Sequence, residues 1–331
     1  MSLPTRRIVR AAGVDLHVVE HAPELPKHGP PVVLLHGLCD SHLTWSRIAS
    51  TLARHRHVLA IDLPGHGLSG RPNASYSLAW NASVIGAALD ELDLSVVDVV
   101  GHSYGGGVAQ WMLLDHRARV RRMMLVAPGG LGRGVSPELR LGSLGLLEHV
   151  GQPFFGVGTR VGLALAGGHF TSAEASEIAW MASRPGTARA ASRTISDVID
   201  VRGQSRHFLD RAHDVGDLPP MAVAWGDRDR VLPFERAADG LAHLEGVPLL
   251  RYEGAGHFVH REVAPRFVTD LEAFLDAKGA TRPKLLRPVS VQVPTTITRR
   301  AILSRALDAL RSIFTPKARE MPHAMGASAS V

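Results

Sequence analysis

Cysteine is nearly absent: Cys39 is the only one in 331 residues. A lone thiol excludes an internal disulfide framework and a cysteine-rich zinc site. Long apolar runs are missing as well, and none reaches the ~18 residues that a membrane-spanning helix needs. The N-terminal stretch carries Arg6, Arg7 and Arg10, but Asp15, His17 and Glu20 interrupt the residues after them. The apolar centre of a secretory signal is therefore lacking, and the expected location is the cytoplasm. Excess charge is scarce over most of the chain. The net balance is +6, which by itself raises the question of nucleic acid. Beyond residue 279, however, nine Lys and Arg stand against Asp308 and Glu320 alone. That local excess is larger than the excess of the whole chain, so the preceding body is close to neutral and no nucleic-acid partner is expected.

What is present is ordinary globular composition, 45% hydrophobic and 21% charged, long enough for a large core. At roughly 150 residues per domain the length suits about two domains, or one α/β domain with an insertion. Six short apolar runs read as strands: 32–35, 57–61, 96–100, 123–126, 221–225 and 247–252. Their near-continuous apolar character implies a sheet covered on both faces, hence mostly parallel. Helical stretches over 44–55, 77–92, 105–115 and 265–278 lie between and after them. Alternation of this kind predicts an open α/β fold with a mostly parallel central sheet and flanking helices. Between residues 129 and 217 the alternation stops. Helical patches such as 172–183 and 188–200 fill a segment too long for a loop, which predicts an inserted helical cap over the strand ends, where open α/β sheets bind ligands. The expected organisation is a core over 1–128 and 218–278, a cap over 129–217 and a basic tail over 279–331. In the tail, 298–314 has the spacing of an amphipathic helix, with Ile302, Ala306, Ala309 and Ile313 on one face and arginines on much of the rest. Such a helix suits contact with a membrane surface or a protein partner.

The sharpest local signal is Gly101-His102-Ser103-Tyr104-Gly105, placed directly after an apolar strand and before an apolar helix. This is the G-x-S-x-G arrangement of a nucleophile elbow in its strand–turn–helix setting. Ser103 must sit on a strained turn with its hydroxyl exposed, and glycines two residues to either side leave room for the strand and the helix to approach. A serine hydroxyl needs a base. Downstream, after two further strands, come Gly226-Asp227-Arg228-Asp229 and Gly256-His257. His257 at a strand end is the candidate base, and Asp227 or Asp229 the candidate acid that would orient its imidazole.

With these motifs, and with His36-Gly37 and Asp62-Leu63-Pro64-Gly65-His66-Gly67-Leu68-Ser69, the sequence resembles the cap-bearing serine hydrolases of the α/β-hydrolase superfamily over about Arg6 to Lys278. The resemblance implies the α/β-hydrolase fold and no cofactor. It places the catalytic acid at the second acidic position after the strand, which is Asp229. It also implies an oxyanion hole from the backbone N–H groups of Leu38 and Tyr104. His36, Gly37 and His102 become supporting residues of the oxyanion loop and the elbow.

Other features have plainer readings. Gly65 to Gly70 matches G-x-G-x-x-G, but Arg71-Pro72-Asn73 continues as a loop where a dinucleotide site would open a helix. His257 to His260 lacks the spacing and carboxylate of a zinc site, so no metal is expected. His260 reads as a rim or packing residue, Trp45 and Trp111 as core. Phe154, Phe155, Phe170 and Trp180 would either line a pocket or pack the cap. The expected activity is hydrolysis of a carboxylic ester or related acyl substrate, a small and hydrophobic molecule, through an acyl-enzyme. Carbon–carbon bond hydrolysis, acyl transfer and perhydrolysis use the same three groups, and a non-catalytic binding protein would need none of them.

Overall fold

The first two strands form a hairpin that the apolar runs alone do not reveal. In the computed structural model, β1 (Thr5–Ala11) and β2 (Val14–His21) pair antiparallel around Ala12-Gly13, both of which have positive φ. β1 is an edge strand, exposed over its first four residues, so it lacks the continuous apolar run of a central strand. The structure describes residues 3–286 except 26, 27, 144–147, 149 and 150. The amphipathic stretch expected over 298–314 lies outside the described residues.

Six further strands complete the sheet: β3 (Val32–Leu35), β4 (Val58–Ile61), β5 (Val97–His102), β6 (Val120–Val126), β7 (Met221–Gly226) and β8 (Leu249–Tyr252). Their order is β1-β2-β4-β3-β5-β6-β7-β8. β2 runs antiparallel to β4, and every pair from β4 to β8 is parallel. Alternate residues of each strand enter opposite cores. Val33, Leu35, Val99 and Leu125 join the core on one face. Val32, Leu34, Val100 and Met124 join that on the other. Side chains are thus buried on both sides of the sheet, which is why the strands read as unbroken apolar runs.

Helices α1 (Leu78–Glu91) and α2 (Tyr104–Asp115) cover the first face. α1 starts where Ser77 accepts a hydrogen bond from the Trp80 N–H, an N-cap that satisfies one of the orphan donors of the first turn. The helix expected over 44–55 is broken into a 3₁₀ turn at His42–Trp45 and a short helix at Ala49–Leu52. Between β6 and β7 the described residues form a short helix, Pro137–Gly142, and three longer ones, here called the cap: α3 (Phe155–Ala166), α4 (Ser172–Ser183) and α5 (Thr187–Val198). A last helix, α6 (Ala264–Asp276), packs Phe267, Leu271 and Leu275 on the second face. Beyond it Lys284–Leu285 pairs antiparallel with Leu244–Glu245, so the start of the expected tail is joined to the body.

Candidate active site

Ser103 stands between β5 and α2 with φ 51° and ψ −115°, a conformation that costs a residue with a side chain roughly 1–3 kcal/mol. Its surroundings hold it there. Its N–H donates to Val126 O on β6 at 2.9 Å, and its carbonyl accepts from the N–H groups of Gly106, Gly107 and Gly129. The glycines around it are sterically required. A Cβ on Gly101 would lie 2.5 Å from Gly105 O, and one on Gly105 would lie 2.4 Å from the carbonyl oxygens of Leu35 and His36.

The acid and base loops follow β7 and β8. His257 Nδ1 lies 2.8 Å from Asp229 Oδ2, both side chains being buried. The same carboxylate accepts from Trp225 Nε1 at 3.1 Å, Val231 N–H at 2.8 Å and Leu232 N–H at 2.9 Å. Four contacts on two oxygens fix its position. Asp227 points elsewhere: it meets Arg251 at 3.0 Å and the Gly254 N–H at 2.8 Å on the exposed side of the loop. The structure therefore brings Asp229, not Asp227, to His257. The elbow joins this group through His102, whose Nε2 lies 3.1 Å from His257 O and whose ring centroid is 4.7 Å from that of His257.

No hydrogen bond among the described residues uses the N–H of Leu38 or of Tyr104. Tyr104 opens α2, where backbone donors lack helical acceptors and the helix dipole favours negative charge. Its hydroxyl is turned away, accepting from Asn81 Nδ2 at 2.9 Å and donating to Tyr76 O at 3.2 Å. His36 holds the loop that carries Leu38: Nδ1 donates to Gly37 O at 2.7 Å and Nε2 accepts from the Leu63 N–H at 2.9 Å. That pair of bonds defines a neutral imidazole. Gly37 lies against the elbow, since a Cβ there would come within 3.2 Å of Ser103 Cβ. The Cys39 thiol beside it is pushed up to about 12, by burial first and then by Asp40, so it is no thiolate nucleophile.

A pocket partly open to solvent reaches Ser103. Leu38, Val135, Val198, Ile199, Val231 and Leu232 give it an apolar lining, and Arg206 is its one charged lining residue. Sequence reasoning did not single out Gln204, which also borders it. Its Oε1 accepts from the Gly130 N–H at 2.7 Å and its Nε2 donates to Gly134 O at 2.8 Å, stitching down the chain that leaves β6. Of the cap aromatics, Phe170 packs edge-on against Phe258 at 5.2 Å, whereas Phe154 and Trp180 are exposed. Trp45 and Trp111 are core. His260 is not at a rim: it is fully buried, with Nε2 2.9 Å from Thr44 Oγ1.

His17, His42 and Asp62 bring three ligand atoms within 4.8 Å of one another, a donor set that could gather around a metal ion. The Asp62 oxygens are engaged by His17 Nδ1, by the backbone and Nδ1 of His42, and by the Leu68 N–H, all of which an ion would disturb. Burial alone would raise the Asp62 pKa, but the hydrogen bonds from His17 and His42 outweigh it and hold the carboxyl well below the usual range.

Four histidines around the site are held neutral. Burial, foremost, lowers the pKa values of His36, His102 and His260, and takes that of His66 to about 3. Below the ordinary value of 6.5 the unfolded chain binds protons that the fold does not. Stability is then fully present above about pH 6.5 and lost as pH falls toward the folded values, by up to ~1.4 kcal/mol per pH unit for each histidine. Thermal melts should change little above about pH 7 and fall steeply between about pH 6 and 5. A melting temperature constant down to about pH 5 would contradict this account.

Arg261, four residues after His257, ties this region to the cap. Its fully buried guanidinium donates to Gly168 O, Leu43 O, Thr44 O and Ser46 Oγ, and meets Glu174 Oε2 at 2.7 Å. It also lies 4.0 Å over the Phe170 ring. Glu174 in turn closes the capping box of α4 with Thr171. Breaking a fully buried pair from one side costs ~3–5 kcal/mol. Because Glu174 is one-fifth exposed, Glu174→Gln should cost less, about 2–3 kcal/mol, read as a lower urea midpoint.

A strained serine at a strand–helix elbow, on an eight-stranded and mostly parallel sheet, defines a hydrolase-fold protein. The chain belongs to the α/β-hydrolase superfamily. Residues 30–146 match the family model described as alpha/beta hydrolase fold. An uncharacterised protein of Mycobacterium tuberculosis is 33% identical over 274 residues, 79% of this chain and 80% of that protein. The 2-hydroxymuconate semialdehyde hydrolase of Pseudomonas sp. strain CF600 is 35% identical over 116 residues, 34% of this chain and 41% of that protein. Among solved structures, a serine hydrolase involved in carbazole degradation superposes with a TM-score of 0.68 at 22% identity, covering 83% of this chain and all of the other.

Proposed function

We propose that this protein is a serine hydrolase that cleaves a carboxylic ester or related acyl substrate through an acyl-enzyme. The observation that carries the reading is the Asp229–His257 pair at 2.8 Å, with the His257 ring 4.7 Å from that of His102, the residue before the strained elbow serine. With Nδ1–H directed at the carboxylate, His257 keeps Nε2 free as a base. Ser103 Oγ attacks the substrate carbonyl and gives its proton to His257 Nε2. The negative charge that develops on the carbonyl oxygen is met by the N–H groups of Leu38 and Tyr104, each such donor being worth roughly 3 kcal/mol in the transition state. His257 passes the proton to the leaving alcohol, then activates the water that releases the acid. Asp229 stabilises the imidazolium in both halves. The apolar lining of the pocket favours a hydrophobic acyl group.

Carbon–carbon bond hydrolysis is the second reading, favoured by the match to 2-hydroxymuconate semialdehyde hydrolase. Acyl transfer and perhydrolysis would change only the acceptor that takes the acyl group. The test is a fluorophosphonate probe on wild type and Ser103→Ala, followed by p-nitrophenyl esters of increasing chain length. The expected result is labelling that the variant loses, with a chain-length optimum set by the pocket. Labelling without turnover of any ester would move the assignment to the carbon–carbon reading. No labelling of folded protein would sink both.

A further inference from the structure

The cap has an apolar face turned to solvent. On α3, Gly156, Thr159 and Leu163 are buried. The opposite stripe is Val157, Val161 and Leu165, four residues apart, with Phe154 just ahead of it. These side chains are 70%, 53%, 75% and 73% exposed. Trp180 on α4 is 59% exposed. It shares a helix side with Ser176 and Ser183, which meet α3 at Arg160 Nη1 and Gly156. Five of the eleven large exposed hydrophobics among the described residues belong to this one face. Single exposed apolar residues need no explanation, but a contiguous group marks a surface that something covers.

Charge narrows the choice of occupant. No Asp or Glu occurs over residues 149–173, and Arg160 is the one charged residue of α3. The exposed acid of α4, Glu177, stands one turn before Trp180, so an acid borders the face on the α4 side while the α3 stripe itself carries none. Size narrows it further. A stable protein interface takes roughly 20–30 residues a side, whereas this face offers five apolar side chains on one helix and the edge of another. A helix lying in a lipid interface needs less: one apolar stripe sunk ~5–10 Å, aromatic residues at its margin and cations toward the headgroups.

We propose that this face docks on an anionic phospholipid bilayer, with Val157, Val161 and Leu165 among the acyl chains, Phe154 and Trp180 at the boundary and Arg160 at the phosphates. Docking of this kind is independent of the Ser103 chemistry.

The test is co-sedimentation of the full chain with phosphatidylcholine vesicles, with and without phosphatidylglycerol. Binding is expected to the mixed vesicles. It should fall about tenfold or more when Val157, Val161 and Leu165 are all replaced by serine, with the melting temperature kept. Should the triple variant fail to fold, Trp180→Phe serves instead: wild-type emission should shift to the blue on adding mixed vesicles, and the variant should lose that shift. Three results would overturn the proposal: no binding to either vesicle, full binding by the triple variant, or wild-type self-association that the same substitutions abolish. The second would assign the membrane contact to another surface, the third would assign the face to a second copy.

Discussion

Replacing Ser103 with alanine is expected to lower kcat/KM by on the order of 10⁴-fold or more. The residual rate would come from the Leu38 and Tyr104 donors and from substrate binding, which outlast the loss of the hydroxyl. Fluorophosphonate labelling should vanish with it. The fold should not suffer, because the hydroxyl supports none of the elbow's hydrogen bonds: those run from the Ser103 backbone to Val126, Gly106, Gly107 and Gly129. Ser103→Gly sharpens the point. At φ 51° and ψ −115° glycine relieves ~1–3 kcal/mol of strain and gives back ~0.5–1 kcal/mol in chain entropy. An inactive protein with a raised urea midpoint is the expected outcome. A Ser103→Ala protein with near wild-type turnover would remove serine chemistry altogether.

Asp229→Asn is the second large effect, about 10⁴-fold in kcat. The native carboxylate accepts from four donors, including His257 Nδ1 and Trp225 Nε1. An amide has one oxygen to offer and turns an NH₂ toward at least one of those donors. His257 then shifts to the tautomer with its proton on Nε2, where it cannot take one from Ser103. Asp227→Asn is the matched control. Asp227 serves an exposed ion pair with Arg251, and its replacement should leave kcat within about twofold, since exposed pairs contribute little. Equal losses in the two variants would refute the assignment of Asp229.

Why the central sheet and the elbow are legible in the chain, while other parts are not, depends on how far each signal reaches. Val32–Leu35 and Val58–Ile61 are buried on both faces and therefore announce themselves as apolar runs. β1 is exposed over its first four residues at the sheet edge, and Asp15, His17 and Glu20 interrupt β2, so neither reads as an unbroken apolar run. Ser103 and its glycines form a local steric unit, legible within five residues. Asp229 is separable from Asp227 only through the family resemblance, because what distinguishes them is that one turns to His257 and the other to Arg251 and Gly254. The Arg261–Glu174 tie spans 87 positions and leaves no local trace. Nor does the sequence say whether the cap aromatics point inward. Phe170 turns in and Trp180 out, which depends on how α3 packs against α4.

The cap also divides the site along the chain. Leu38, Ser103 and Tyr104 precede it, Asp229 and His257 come after it, and the two parts meet where β6 and β7 lie side by side, Met123 beside Met221 and Val126 beside Ala224. A polypeptide broken inside the cap would place the proposed nucleophile, Ser103, on one fragment and the proposed proton relay, Asp229 and His257, on the other. Each piece alone would be inert, and function would return only as the two fragments complete a common sheet, so the rate of recovery would report directly on the pairing of two adjacent parallel strands.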